Sequence, residues 1–158
     1  MDESAALSQK LYSEGQKLSR FLEGLPERDW NRVVYTDGAT WTVRSILAHL
    51  VSAEREFLRL FDEVRRGGTG TPEGFSIDQY NADQQESSKD LAPADLLREF
   101  NAVRSQMAAL VASLSAEELV TRGRHPHLGI ATLHEMVKLV YIHNQTHYRD
   151  ARRALTSK

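Results

Sequence analysis

Between Pro93 and Leu114 the apolar residues Leu96, Phe100, Val103, Met107, Leu110 and Leu114 recur alternately four and three apart, the spacing of one face of an α-helix. A helix cannot bury such a stripe by itself, so the stripe demands partner helices with apolar faces of their own. The rest of the chain supplies them. Leu7, Leu11, Leu18, Phe21, Leu22 and Leu25 predict a first helix of about five turns ahead of Pro26. Val43, Ile46, Leu47, Leu50, Phe57, Phe61 and Val64 predict a second, capped by Thr42 and stopped at Gly67-Gly68. Met136, Leu139 and Val140 belong to a last helix, opened by Thr132 with Glu135 and running to about Leu155, where Arg149, Arg152 and Arg153 suit the helix dipole.

The connections differ in kind. Leu25 to Trp41 holds Trp30, Val33, Val34 and Tyr35 beside the turn pair Asp37-Gly38, so it reads as a structured connection packed over one end of the helices. Gly67 to Gly74 has the composition of a mobile loop. It lacks the Gly-Lys-Ser/Thr ending of a phosphate cradle, and no strand precedes it. Ser76 with Gln79 reads as a capping box for a short helix from Ile77 to about Ser88, lying across the bundle. Ser115 with Glu118 opens another short turn, and Thr121 to His127 reads as loop. No strand pattern of any length is evident. The expected architecture is all-α: a single domain over residues 1–158, a four-helix bundle with a long crossover between the second and third long helices that carries a short helix.

Charge and composition limit the partners. Twenty Lys and Arg are interspersed with 22 Asp and Glu for a formal charge of −2, which predicts no nucleic-acid partner. Met1-Asp2-Glu3-Ser4 resembles no signal peptide and no apolar run reaches membrane-spanning length, so the expectation is a cytoplasmic protein with no membrane partner. There is no cysteine, so any sulfur chemistry needs a bound small molecule.

The chemistry lies in the last helix. His143 and His147 are four residues apart and so stand within about 40° of each other, on the side of Met136, Leu139 and Val140. Two inward imidazoles compete for hydrogen-bond partners unless a metal takes a lone pair from each. A metal needs a third ligand, and His49, on the flank of the Ile46–Leu50 stripe, is the candidate. His134 falls on the opposite face, and His125 and His127 lie in a loop. The alternative is a set of core histidines satisfied by ordinary hydrogen bonds. Glu54 and Asp150 are candidates to orient an imidazole, against the plainer reading of each as an ion-pair partner of an Arg. Tyr80 and Asn81 either reach a pocket mouth or anchor their helix.

Trp41-Thr42-Val43-Arg44-Ser45-Ile46-Leu47-Ala48-His49-Leu50, then Glu54, Tyr80-Asn81 and His143-x-x-x-His147, together resemble the DinB/YfiT-like superfamily over nearly the whole chain. The resemblance implies a four-helix bundle holding one divalent metal on His49, His143 and His147. Zinc is the default for three imidazoles, with nickel, iron and others open. It further implies a thiol-dependent S-transferase or hydrolase acting on a small electrophilic substrate, with a low-molecular-weight thiol as cosubstrate, and a homodimer. Mycothiol-dependent isomerases of the family often carry Glu where this chain has His143, so the triad is more similar to the thiol-transferase and DinB-type members. The competing expectation is a non-catalytic, metal-stabilised bundle serving binding or dimerisation.

Overall fold

The computed structural model describes residues 2–157. Four long helices form the body: α1 (Glu3–Glu23), α2 (Val43–Arg65), α4 (Pro93–Ala112) and α6 (Leu133–Thr156), with the shorter α3 (Ile77–Ser88) and α5 (Ala116–Leu119) between them. The long helices close a square in which α4 and α6 each pack against both α1 and α2. Ser8 of α1 donates to Ala108 O near the end of α4, so these two run antiparallel. One apolar cluster joins the start of α1 and of α6 to the ends of α2 and α4. The second cluster joins the end of α1 to the starts of α2 and α4. The order is therefore up, down, down, up. Two successive parallel helices, α2 and α4, force the long crossover that carries α3. No helix among the described residues is long and apolar enough to cross a membrane.

Local chemistry explains the boundaries. Thr42 accepts from Ser45 N and Thr132 from Glu135 N, as their positions predict. Ser115 and Glu118 form a reciprocal capping box, whereas Ser76 only accepts from Gln79 N, the Gln79 amide being turned to Asp83. The first helix starts before its apolar stripe because Asp2 accepts from Ala5 N at 2.7 Å.

Two short antiparallel hairpins were not expected. β1 (Val33–Tyr35) pairs with β2 (Trp41–Thr42), and β3 (Arg122–His125) with β4 (Gly129–Thr132). Strands of two to four residues are too short to show period-two alternation, and the second hairpin lies in what its polar composition marks as loop. The glycine-rich crossover is also more ordered than its composition suggests. Thr71 N donates to Arg124 O at 2.8 Å and Arg124 N to Thr69 O at 2.9 Å, stitching the crossover to β3. Gly70, at φ +95°, is required there, since a Cβ would stand 2.5 Å from Arg124 O.

One polar group spans the whole bundle. Arg104 of α4 is 2% exposed; its Nη1 donates to Leu11 O of α1 at 2.8 Å, and its Nη2 to Asn144 Oδ1 of α6 at 3.1 Å. Its Nε and Nη2 make a bidentate pair with Glu54 of α2, itself 3% exposed. Gly15 on α1 makes room for it, because a Cβ there would stand 2.8 Å from Arg104 Cγ. Removing one member strands a buried charge, so Arg104→Ala should cost about 3–5 kcal/mol in urea denaturation. Glu54→Ala should cost about as much, and the double variant less than the sum of the two.

Candidate metal centre

The start of α2 and the second half of α6 bring the three predicted histidines together. His49 Nε2 lies 3.1 Å from His143 Nε2, which lies 2.9 Å from His147 Nε2. Each nitrogen carries either one proton or one lone pair, so His143 Nε2 cannot hydrogen-bond both neighbours well. Three ligands about 2.0–2.1 Å from one tetrahedral ion would stand about 3.3 Å apart, close to the spacing seen. The donor set therefore fits a divalent ion, and among the described residues these three bring one possible ligand atom each within 4.8 Å of one another.

Burial holds the rings neutral. Desolvation, then the neighbouring His147 and His127, pushes His49 down to about 3. Desolvation followed by the other histidines brings His143 to about 3. Burial lowers His147 to about 4, against the opposing pull of Asp150. Neutral imidazoles are the form that binds metal.

The surrounding shell was only partly foreseen. Tyr35 Oη lies 3.0 Å from His147 Nδ1 and donates to Asp150 Oδ2 at 2.5 Å. With the His147 Nε2 lone pair directed at an ion, Nδ1 carries the proton and donates to Tyr35, whose own proton goes to Asp150. Asp150 thus reaches His147 through Tyr35 instead of directly, and its Oδ1 also meets Arg149 Nε at 3.3 Å, the plainer ion-pair reading. Burial, then Asp150, raises the Tyr35 phenol well above its ordinary range. Trp41 packs on His49 with ring centroids 4.8 Å apart. Asn81 lies beside the His49 ring, whose buried Nδ1 makes no hydrogen bond among the described residues. Glu54, a candidate imidazole acceptor, has its carboxylate taken up by Arg104, so its contribution is the ion pair. Tyr80 donates to Ser52 O at 2.9 Å and its ring lines the cavity beside the triad, so it both anchors α3 and reaches the pocket.

That cavity has a volume of about 180 Å³, and Trp41, Phe57, Phe75, Tyr80 and His127 line it together with the triad. His127, a loop residue by its sequence context, faces this cavity. The β3–β4 turn presents it there, with the buried His125 Nδ1 accepting from His127 N at 3.0 Å and Leu128 N at 3.2 Å. The other loop histidine thus fastens the turn. A wider groove of about 790 Å³ lies between the β1–β2 connection and α3 and shares Trp41, Asn81 and His147 with the cavity. Phe75 and His127 stand far from the triad in sequence, and Tyr35 and Trp41 lie ahead of α2 in its hairpin, so periodicity within one helix carries no information on any of them. His134, as its helix face predicts, points elsewhere and meets Glu3 at 2.6 Å.

The fold is a four-helix bundle in which three histidines converge between two antiparallel helices, the place where bundles build ligand and metal sites. The DinB superfamily model matches residues 10–151, and the chain belongs to that family. Among solved structures, YfiT from Bacillus subtilis, described as a probable metal-dependent hydrolase with an unusual four-helix-bundle topology, is 20% identical with a TM-score of 0.80, covering 98% of this chain and 87% of its own. A mycothiol-dependent maleylpyruvate isomerase is 16% identical at a TM-score of 0.75, over 94% of this chain and 59% of its own. The colibactin self-resistance protein ClbS, solved in complex with double-stranded DNA, is 16% identical at 0.77, over 98% and 96%. At these identities the likeness is one of fold. No curated protein matches the sequence.

The ClbS complex corrects one expectation. Interspersed charge at −2 predicts no nucleic-acid partner, yet a protein of this fold, ClbS, is found in complex with double-stranded DNA. Net charge averages over the whole surface, whereas a phosphate backbone is held by a few local groups, so the balance of charges does not exclude such a partner.

The depressed imidazoles carry a pH signature. Between about pH 6.5 and 4 the unfolded chain binds protons that the folded, metal-free protein does not, so stability should fall as pH falls through that window. The slope should reach up to about 1.4 kcal/mol per pH unit for each imidazole. Calorimetry of the metal-free protein should show Tm dropping from pH 7 to pH 5, and His143→Ala should flatten the slope.

Proposed function

We propose that the chain is a divalent-metal-dependent enzyme of the DinB type that transfers a low-molecular-weight thiol to a small electrophile. The observation that carries this reading is the convergence of three neutral imidazole Nε2 atoms within 3.1 Å steps at the wall of a cavity. His49, His143 and His147 would hold the ion, with zinc the default and nickel or iron also suited to imidazole. When bound, a divalent ion on three protein ligands supplies Lewis acidity that lowers the pKa of a thiol or water at its remaining position.

The chain's own residues supply the remainder. Asp150 and Tyr35 fix the tautomer and orientation of His147, and Trp41 packs against His49. The chain has no cysteine, so a sulfur nucleophile must arrive as a second molecule. Two volumes that meet at Trp41, Asn81 and His147 offer separate places for thiol and electrophile, which supports transfer between two substrates. The thiol dependence in the name of the isomerase relative points the same way. Hydrolysis is the second reading, favoured by the description of YfiT, and differs only in placing water where the thiol would stand. A metal-stabilised bundle without activity has no use for the cavity and groove beside the triad.

Elemental analysis of tag-free protein should give about one equivalent of divalent metal. His49→Ala and His147→Ala should lose it while far-UV circular dichroism stays within a few per cent of the parent, since the bundle is held elsewhere. Metal retained at full stoichiometry in either variant would overturn the triad. With an aryl halide as electrophile, a transferase should consume thiol and electrophile one for one, and a hydrolase should consume the electrophile alone.

A further inference from the structure

We infer that the cavity beside the triad is a binding site for a small planar aromatic group whose polar head reaches the three histidines. This deepens the reading above and rests on it. The walls come from four separate segments: Trp41 from β2, Phe57 from α2, Phe75 from the crossover and Tyr80 from α3, with Ala53 and Ile77 between them. Aromatic rings contributed by four segments are not the by-product of one helix's apolar stripe.

Two of the polar side chains along these walls are already engaged. The Tyr80 hydroxyl is spent on Ser52 O at 2.9 Å, so what it adds to the cavity is ring surface. Glu56 is held by Arg59 through contacts of 3.1 and 3.2 Å from Nε. The groups left to meet a ligand's polar atoms are the triad, with Asn81 and His127 near His49, and the indole N–H of Trp41, whose ring packs on His49. The cavity thus joins aromatic walls to a cluster of imidazoles, which suits a ligand with a flat apolar body and one metal-seeking head. Its volume of about 180 Å³ is right for one ring and a short head; an apolar cavity of about 150 Å³ accepts benzene.

The walls are also braced. Phe57 stacks nearly parallel on Phe61, 7° apart, and on His125 at 5.2 Å. Phe75 leans on Tyr80 at 5.6 Å, and the crossover that carries it is stitched to β3. A preformed slot binds a rigid ring with little ordering cost. The wide groove, where Asp37, Thr40 and Asp78 stand beside Tyr35 and Trp41, is the more polar of the two. The two volumes therefore divide the ligands by polarity, with the aromatic one in the cavity.

Two hydroxamates separate the parts of this claim, because they share a metal-binding head and differ in the ring. Calorimetric titration of the zinc-loaded protein should give benzohydroxamate an affinity at least ten-fold above that of acetohydroxamate. Phe75→Ala, and the milder Phe75→Leu, should erase most of that preference while leaving zinc content and acetohydroxamate affinity within two-fold. Equal affinities in the parent protein, or a preference untouched by both substitutions, would overturn the aromatic site alone. Failure of both hydroxamates to bind a protein that carries one equivalent of zinc would overturn the open metal centre and the aromatic site together.

Discussion

Arg104 is the point at which the bundle is joined. A guanidinium is always charged and has five donors to satisfy, so once buried it dictates what must face it from every side. Here the carbonyl of Leu11, the carboxylate of Glu54 and the amide of Asn144 come from the three other long helices. Apolar stripes can slide by a turn with modest loss, whereas this set of contacts exists in one register only. Gly15 shows the same constraint from the other side, because α1 approaches the guanidinium as closely as it does only without a side chain there.

That register places the histidines. Asn144 follows His143 directly, and Glu54 lies little more than a turn beyond His49. The contact that aligns α2 and α6 through Arg104 therefore also aligns the three imidazoles. Structural polarity and site chemistry sit in adjacent layers of the same two helices. The pair Arg104–Glu54 is the inner layer, and the triad with Tyr35 and Asp150 is the outer one.

The parts that were legible in the sequence and the parts that were not separate along a physical line. Four long helices, the crossover and the inward histidine pair follow from spacing within single helices, where 3.6-residue periodicity is a direct record of facing. His49 was reachable because a metal demands a third ligand and the second helix offered one on the correct flank. The hairpins were not legible, since strands of two to four residues have no measurable period and their stability comes from packing on the bundle end. Tyr35 stands 112 residues from His147, and His127 reaches the cavity through a turn. Contacts of that kind are made by tertiary structure alone. Glu54 illustrates the converse: its inward position was plain, but its partner, an arginine 50 residues on, lay on a face that the apolar stripe of α4 conceals. The balance of charge misled for a related reason, because it describes composition and not where groups lie.

The separation of the three histidines along the chain has a consequence for how an ion would be acquired. His49 and His143 lie 94 residues apart, on helices joined through the apolar clusters and the Arg104 contacts. During synthesis the second helix emerges with a lone histidine that has little hold on a cation. The three imidazoles first come together when the final helix docks against the rest. Loading would therefore follow folding, and an ion could leave and return without the chain coming apart. In a cell, the occupant would then be chosen by the local supply of exchangeable metals, and a change in that supply could re-equip protein molecules already made.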